Sequence, residues 1–150
     1  MAGLTSAITT TFKKELLEGD HDFNNGADAF KIALFKANSS ISGTYGAATT
    51  NYSDVTGNSD ETSGTGYSSG GNTLTNVDPT TSGTTAFTDF ADTSWTSATF
   101  TTRGAIIYNT NDSNSAVMII DFGADFSVSG GTFTVEFPAA GASTAILRIA

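Results

Sequence analysis

Apolar residues recur along this chain at two different spacings, and each spacing predicts a different element. Near the start, Leu4, Ile8, Phe12 and Leu16 follow one another every four residues. That interval stacks them on one slowly drifting helical face. It predicts a helix over residues 5–18, with Thr5 or Ser6 as its cap and Gly19 where helices commonly stop. Thr9, Thr10 and Thr11 work against it, because β-branching restricts the side-chain torsion inside a helix. An amphipathic segment of this kind serves either as a lid on its own domain's core or as a docking arm for another chain.

Further on the interval drops to two. Phe30, Ile32 and Leu34 share one face of a strand over residues 29–36. Short strands are then predicted at 73–77, 84–90, 94–101, 104–109, 116–122, 132–137 and 144–149. The clearest runs from Thr132 to Phe137, where polar and apolar residues alternate strictly. Residues 109–114 are Asn- and Asp-rich and predict a hairpin loop, while Gly130-Gly131 and residues 138–141 punctuate later hairpins. Residues 38–71 hold few aliphatics and predict a long polar loop with one short strand near Tyr45 or Tyr52. That loop reads either as a solvated insertion or as a segment that orders on a partner.

Together these elements predict a mainly β fold, an antiparallel β-sandwich or barrel-like domain of about seven or eight short strands with one N-terminal helix. Residues 1–28 make the helix and turn, with the option of acting as an arm, and residues 29–150 make a single β domain.

Composition narrows the function. Serine and threonine number 43 of 150 residues, yet 11 phenylalanines and 38% hydrophobic content separate the chain from a disordered polar tail. The net charge is −9, and no lysine or arginine lies between Ala37 and Thr102. A nucleic-acid binder needs a basic stripe for phosphates, so that class is not expected. No window approaches the ~18 apolar residues of a membrane helix. The first residues lack the layout of a secretory signal, so export by that route is not expected. Without cysteine there is no disulfide, thiolate chemistry or cysteine-ligated metal.

The candidate chemistry is thin. Gly66-Tyr67-Ser68-Ser69-Gly70 matches the nucleophile-elbow pattern, but the single histidine, His21, precedes it and no helix start follows. His21 between Asp20 and Asp22 suggests a calcium loop, yet position six is Asn25 and position twelve Lys31 where that loop needs Gly and Glu. A solvent-exposed turn is the expectation there. Asp89 with Asp92 and Asp121 with Asp125 are the carboxylate pairs nearest apolar sequence, and Trp95, Tyr67 and Tyr108 are the aromatics available to floor a sugar cleft. Arg103, isolated in an acidic field, is read as half of a structural ion pair. No catalytic residue, cofactor or metal ligand is expected, and the chain is read as a non-enzyme.

Three stretches carry a resemblance: Gly64 to Thr80, Ala86 to Trp95, and Arg103 to Asn109. With the aliphatic run 116–122 that follows, they resemble small structural proteins of tailed bacteriophages over residues 29–149. The resemblance implies a virion component made in the host cytoplasm. Within that class it implies a capsid decoration, or cement, protein on the outer shell, with the major capsid protein as partner. A homo-oligomer is implied as well, a trimer ahead of a dimer, with neither nucleic acid nor membrane as partner. A tail, fibre or head–tail junction component is the alternative, and a carbohydrate-binding module stands behind it. The candidate contact residues are Leu4, Ile8, Phe12 and Leu16 on the helix and Tyr45, Tyr52 and Tyr67 on the loop.

Overall fold

Two long strands organise the molecule. The structure is a computed structural model describing residues 2–150. Strands β1 (Gly3–Leu4) and β2 (Ala7–Ile8) lead into helix α1 (Thr10–Glu18) and strand β3 (Phe30–Phe35). Strand β4 (Thr44–Tyr45), helix α2 (Tyr52–Gly57) and strand β5 (Asn72–Thr73) follow. Next come β6 (Asn76–Ser82), β7 (Thr85–Phe90), the long pair β8 (Thr93–Asn109) and β9 (Ser115–Val135), and β10 (Leu147–Ile149).

Five strands form one antiparallel sheet in the order β2-β9-β8-β3-β5, and three form a second in the order β10-β7-β6. The short β1–β4 pair is parallel. The fold is mainly β and sandwich-like, with one N-terminal helix. Its central strands are buried on both faces. Phe30, Ile32 and Leu34 point into a core shared with Phe12, Phe90, Ile107 and Leu147. Ala33 and Phe35 point the other way, to a second core with Ile41, Tyr45, Val55, Ile106 and Ile119. Burial on both faces explains why 105–108 and 116–120 read as continuous apolar runs rather than alternations.

The helix starts later than its spacing predicts. Thr9, not Thr5 or Ser6, is the cap: its hydroxyl accepts from Phe12 N (3.1 Å) and donates to Ala116 O (2.6 Å). A threonine hydroxyl competes well for backbone partners at a cap and poorly inside a helix. Leu4 and Ile8 therefore lie in strands, and α1 covers the domain's own core through Phe12. Gly19 ends the helix in the left-handed conformation, as predicted.

Residues 38–71 are a built layer rather than a loop. A 3-10 turn at Asn38–Ser40, β4 and α2 cover the second core, and Tyr52 opens a helix rather than lying in a strand.

The predicted strands 94–101 and 104–109 are one strand, β8, and 116–122 and 132–137 fall along or at the end of one strand, β9. Gly130-Gly131 makes a bulge within β9 instead of a turn, with Gly130 at φ +65°. A larger irregularity divides the hairpin: Thr102 pairs with Phe126 and Gly104 with Asp121, leaving residues 122–125 opposite Arg103 alone.

Candidate functional site

Beyond that irregularity the long hairpin continues past the sheet's other strands. Arg103 pins the step, its Nε donating to Asp121 Oδ1 (2.7 Å) and its second guanidinium nitrogen to Oδ2 (3.4 Å). The guanidinium holds the Asp121 carboxyl below the usual range. In the outer half, Trp95 pairs with Phe133, Phe100 with Val128 and Thr102 with Phe126, so these residues share one face.

Their rings form a ladder that leaves the core. Trp95 lies 6.0 Å from both Tyr67 and Phe133, Phe133 is 5.5 Å from Phe100, and Phe122 is 6.2 Å from both Phe133 and Phe126. Trp95 is 3% exposed and Phe126 48%. Phe122, Phe126, Phe133 and Val135 line a groove of about 310 Å3 at the outer end. On its other edge β9 pairs with β2 only at Met118 and Ile119, and no strand among the described residues covers it further out. Sequence patterning missed Phe126 because it sits in a glycine- and serine-rich stretch. The signal was there in the Phe-x-Val of residues 126–128 before the glycines.

The seven candidate contact residues are not gathered on one surface. Ile8, Phe12, Leu16 and Tyr67 pack on the first core, and Leu4, Tyr45 and Tyr52 on the second. Phe12 and Tyr45 are fully enclosed.

Two adjacent carboxylates order the 38–71 layer. Asp60, at 0% exposure, accepts from Ser42 N (3.0 Å), Gly43 N (2.7 Å) and Tyr45 Oη (2.7 Å) and pairs with Lys36 Nζ (2.9 Å). Burial by itself would raise its pKa, but Lys36 and these donors outweigh it and hold the carboxyl well below the usual range. Glu61 accepts from Tyr67 Oη (2.7 Å), Gly70 N (2.7 Å), Tyr52 Oη (2.6 Å) and Ser69 Oγ (2.9 Å). Burial first, then the carboxylate partner, pushes the Tyr45 and Tyr67 hydroxyls up. Both acids are saturated with donors, an arrangement that holds chain segments together.

His21 is not on an exposed turn. It is 8% exposed, packed 4.8 Å from the Phe12 ring, with Nε2 against Glu15 Oε2 (3.0 Å) and Nδ1 against Asn109 Nδ2 (2.9 Å). Asn109 Oδ1 accepts from Asn111 N (2.9 Å) and Nδ2 also donates to Asp28 Oδ2 (2.7 Å), which fixes the amide's orientation. The proton therefore lies on Nε2, toward Glu15, whose Oε2 also accepts from Ser115 Oγ (2.6 Å). Glu15, His21 and Asp112 bring one ligand atom each to within 4.8 Å of one another. This tautomer offers no lone pair to an ion there: Nε2 carries hydrogen and Nδ1 is taken. Burial, then the Glu15 charge, raises the Asp112 carboxyl.

The remaining sequence candidates resolve into structural contacts. Asp89 accepts from Phe90 N and Ile146 N, Asp92 from Phe137 N, and Asp125 from Asn38 N. Residues 66–70 form turns and no strand–turn–helix, and both His21 nitrogens are engaged elsewhere. Trp95 and Tyr108 are buried and floor no open cleft. Comparison with known proteins yields no matching family model, no matching curated protein and no matching solved structure.

Proposed function

We propose that the chain is a non-enzymatic structural protein of a tailed-phage virion, a capsid decoration protein bound to the outer shell between coat subunits and made in the host cytoplasm. The resemblance of residues 29–149 supplies the class. The observation that supports an interface role is the aromatic groove at Phe122, Phe126 and Phe133, left uncovered on a chain of net charge −9. Apolar side chains left open to water gain by burial against a partner, and the charge suits an exterior position better than contact with packaged DNA. Such a protein stabilises a shell by adding interface area across coat junctions. A specific interface buries roughly 1,200–2,000 Å2 in total.

The test is copy number and shell binding. Quantified against the major capsid protein in purified particles, a decoration protein is present at comparable copy number. Added to preformed shells, it binds saturably and raises the temperature at which they open. A handful of copies per particle would overturn the shell assignment in favour of the tail or portal vertex, and complete absence would overturn the virion reading.

A further inference from the structure

Asparagine is a chemically labile side chain, and its surroundings decide which copy reacts. Of the ten asparagines here, seven commit their side-chain amides to hydrogen bonds, Asn51 to Ser113 O and Asn58 to Asp54 O among them. Asn25, Asn38 and Asn114 make none among the described residues. Serine follows Asn38 and Asn114, and the Ser115 N–H is held by Asp112 O. Glycine follows Asn25, and this is the chain's one Asn-Gly pair.

The pair sits at the tip of an exposed turn. Ala27 N donates to Asn24 O (3.0 Å), which puts Asn25 and Gly26 at the two central positions, with Gly26 at φ +87°. The Gly26 N–H has no acceptor among the described residues, and a Cβ built on Gly26 would meet nothing within 4 Å. Its nitrogen is therefore open to solvent and unhindered. Swinging it toward the Asn25 side chain breaks one turn hydrogen bond.

We propose that Asn25 is a self-modification site, where the chain deamidates itself through a cyclic imide, and that the product loosens this turn from β6. Neither claim depends on the decoration reading. Hydroxide takes the Gly26 amide proton, and the nitrogen attacks Cγ of Asn25. The Cγ–Nδ2 bond breaks, and Nδ2 leaves as ammonia after taking a proton from water. Water then opens the five-membered imide. Addition at Cγ gives aspartate, and addition at the main-chain carbonyl gives isoaspartate, with the main chain rerouted through the side chain. Either product adds one negative charge.

That charge lands badly. Asn25 N donates to Asp78 Oδ1 (2.6 Å) and so fastens the turn to β6. Asp22 and Asp28 already fold their carboxylates onto the same turn, Asp22 accepting from Asn24 N and Asp28 from Asp22 N. A carboxylate at residue 25 faces all three acids. The same turn holds Phe23, which is buried and stacked 4.5 Å from Phe30, so loosening it reaches the core.

The purified chain, held at mildly alkaline pH and body temperature, tests this by ion exchange and peptide mapping. A species with one more negative charge should accumulate, at a rate that rises with hydroxide concentration. Residue 25 should carry the change roughly tenfold faster than any other asparagine, a barrier difference of about 1.4 kcal/mol. Part of the product should accept a methyl group from an isoaspartyl methyltransferase. Asn25→Gln keeps an amide but must close a six-membered ring, so its acidic species should form at least as slowly as those from the other asparagines. The separated acidic species should melt about 2–4 °C below the intact chain. No acidic species, modification mainly at another asparagine, or Asn25→Gln acidifying as fast as wild type would overturn the site. Equal melting of the modified and intact chains would overturn the loosening.

Discussion

Asn109 donates a hydrogen bond to Nδ1 of His21 at 2.9 Å, and that bond decides which imidazole nitrogen holds the proton. It also ties the turn after α1 to the end of β8, since the same amide nitrogen reaches Asp28. Asn109→Ala would orphan the His21 nitrogen and the Asn111 N–H together, while Asp28 Oδ2 keeps its bond from Asp22 N. A buried unsatisfied polar group costs about 1–3 kcal/mol, and part of this cluster rehydrates. The expected loss is about 3 kcal/mol, read from urea unfolding. Zinc added in excess leaves the wild-type melting temperature unchanged, because the locked tautomer presents no free lone pair. A clear rise with zinc would show that the network rearranges to bind it.

Asp60 makes stability depend on acid. Its folded-state pKa is lowered from the ordinary value of 3.8, so the unfolded chain takes up this proton first as pH falls. The contribution is complete well above 3.8 and is lost as pH drops below it toward the folded value. The urea midpoint of wild type should therefore fall more steeply below about pH 4.5 than that of Asp60→Asn. At neutral pH the variant is less stable by roughly 2–4 kcal/mol, because Lys36 loses its counter-charge. Equal acid slopes in the two proteins would exclude Asp60 as the source.

Gly71 stands where β5 meets β3. Its φ is +71°, and a Cβ there would run into the carbonyl oxygen of Ile32. Gly71→Ala combines backbone strain with a clash against a core strand and should cost about 2–4 kcal/mol. Gly123→Ala is the control: φ is +82° but nothing lies within 4 Å, so only the conformational cost remains, about 1 kcal/mol. Similar losses at both positions would mean that β5 moves aside freely.

Much of the fold was legible wherever one face of an element decided burial. Phe30, Ile32 and Leu34 alternate because they fill one core, and Gly19 stops α1 because a residue without Cβ takes the left-handed cap at no steric cost. What periodicity could not show was long-range pairing. Thr9 becomes a cap because a carbonyl over a hundred residues away, that of Ala116, accepts its hydroxyl. Residues 38–71 read as loop because their order comes from Asp60 and Glu61 collecting donors from scattered positions, which leaves no apolar rhythm. The groove escaped for the opposite reason. Phe126 breaks the rule that rings go inside, since the core ends before the hairpin does.

Trp95 links that groove to the interior and gives it a spectroscopic reporter. The indole is buried among Tyr67, Phe100 and Phe133, and its Nε1–H has no hydrogen-bond partner. Buried and without a polar contact, it should emit to the blue of solvated tryptophan and resist quenching by acrylamide. Oligosaccharides should leave the spectrum unchanged, because no sugar can stack on an enclosed ring. Emission to the red, or ready quenching, would mean that the outer hairpin lifts from the core in solution. Trp95→Phe separates packing from polarity. It loses some buried area but also removes an unsatisfied donor whose burial costs about 1–3 kcal/mol. The two effects oppose each other, so the variant should unfold within about 1 kcal/mol of wild type, where an aromatic-to-alanine change would cost about 3–5. A much larger loss for Trp95→Phe would show that the shape of the indole, rather than its apolar area, holds the ladder of rings in place.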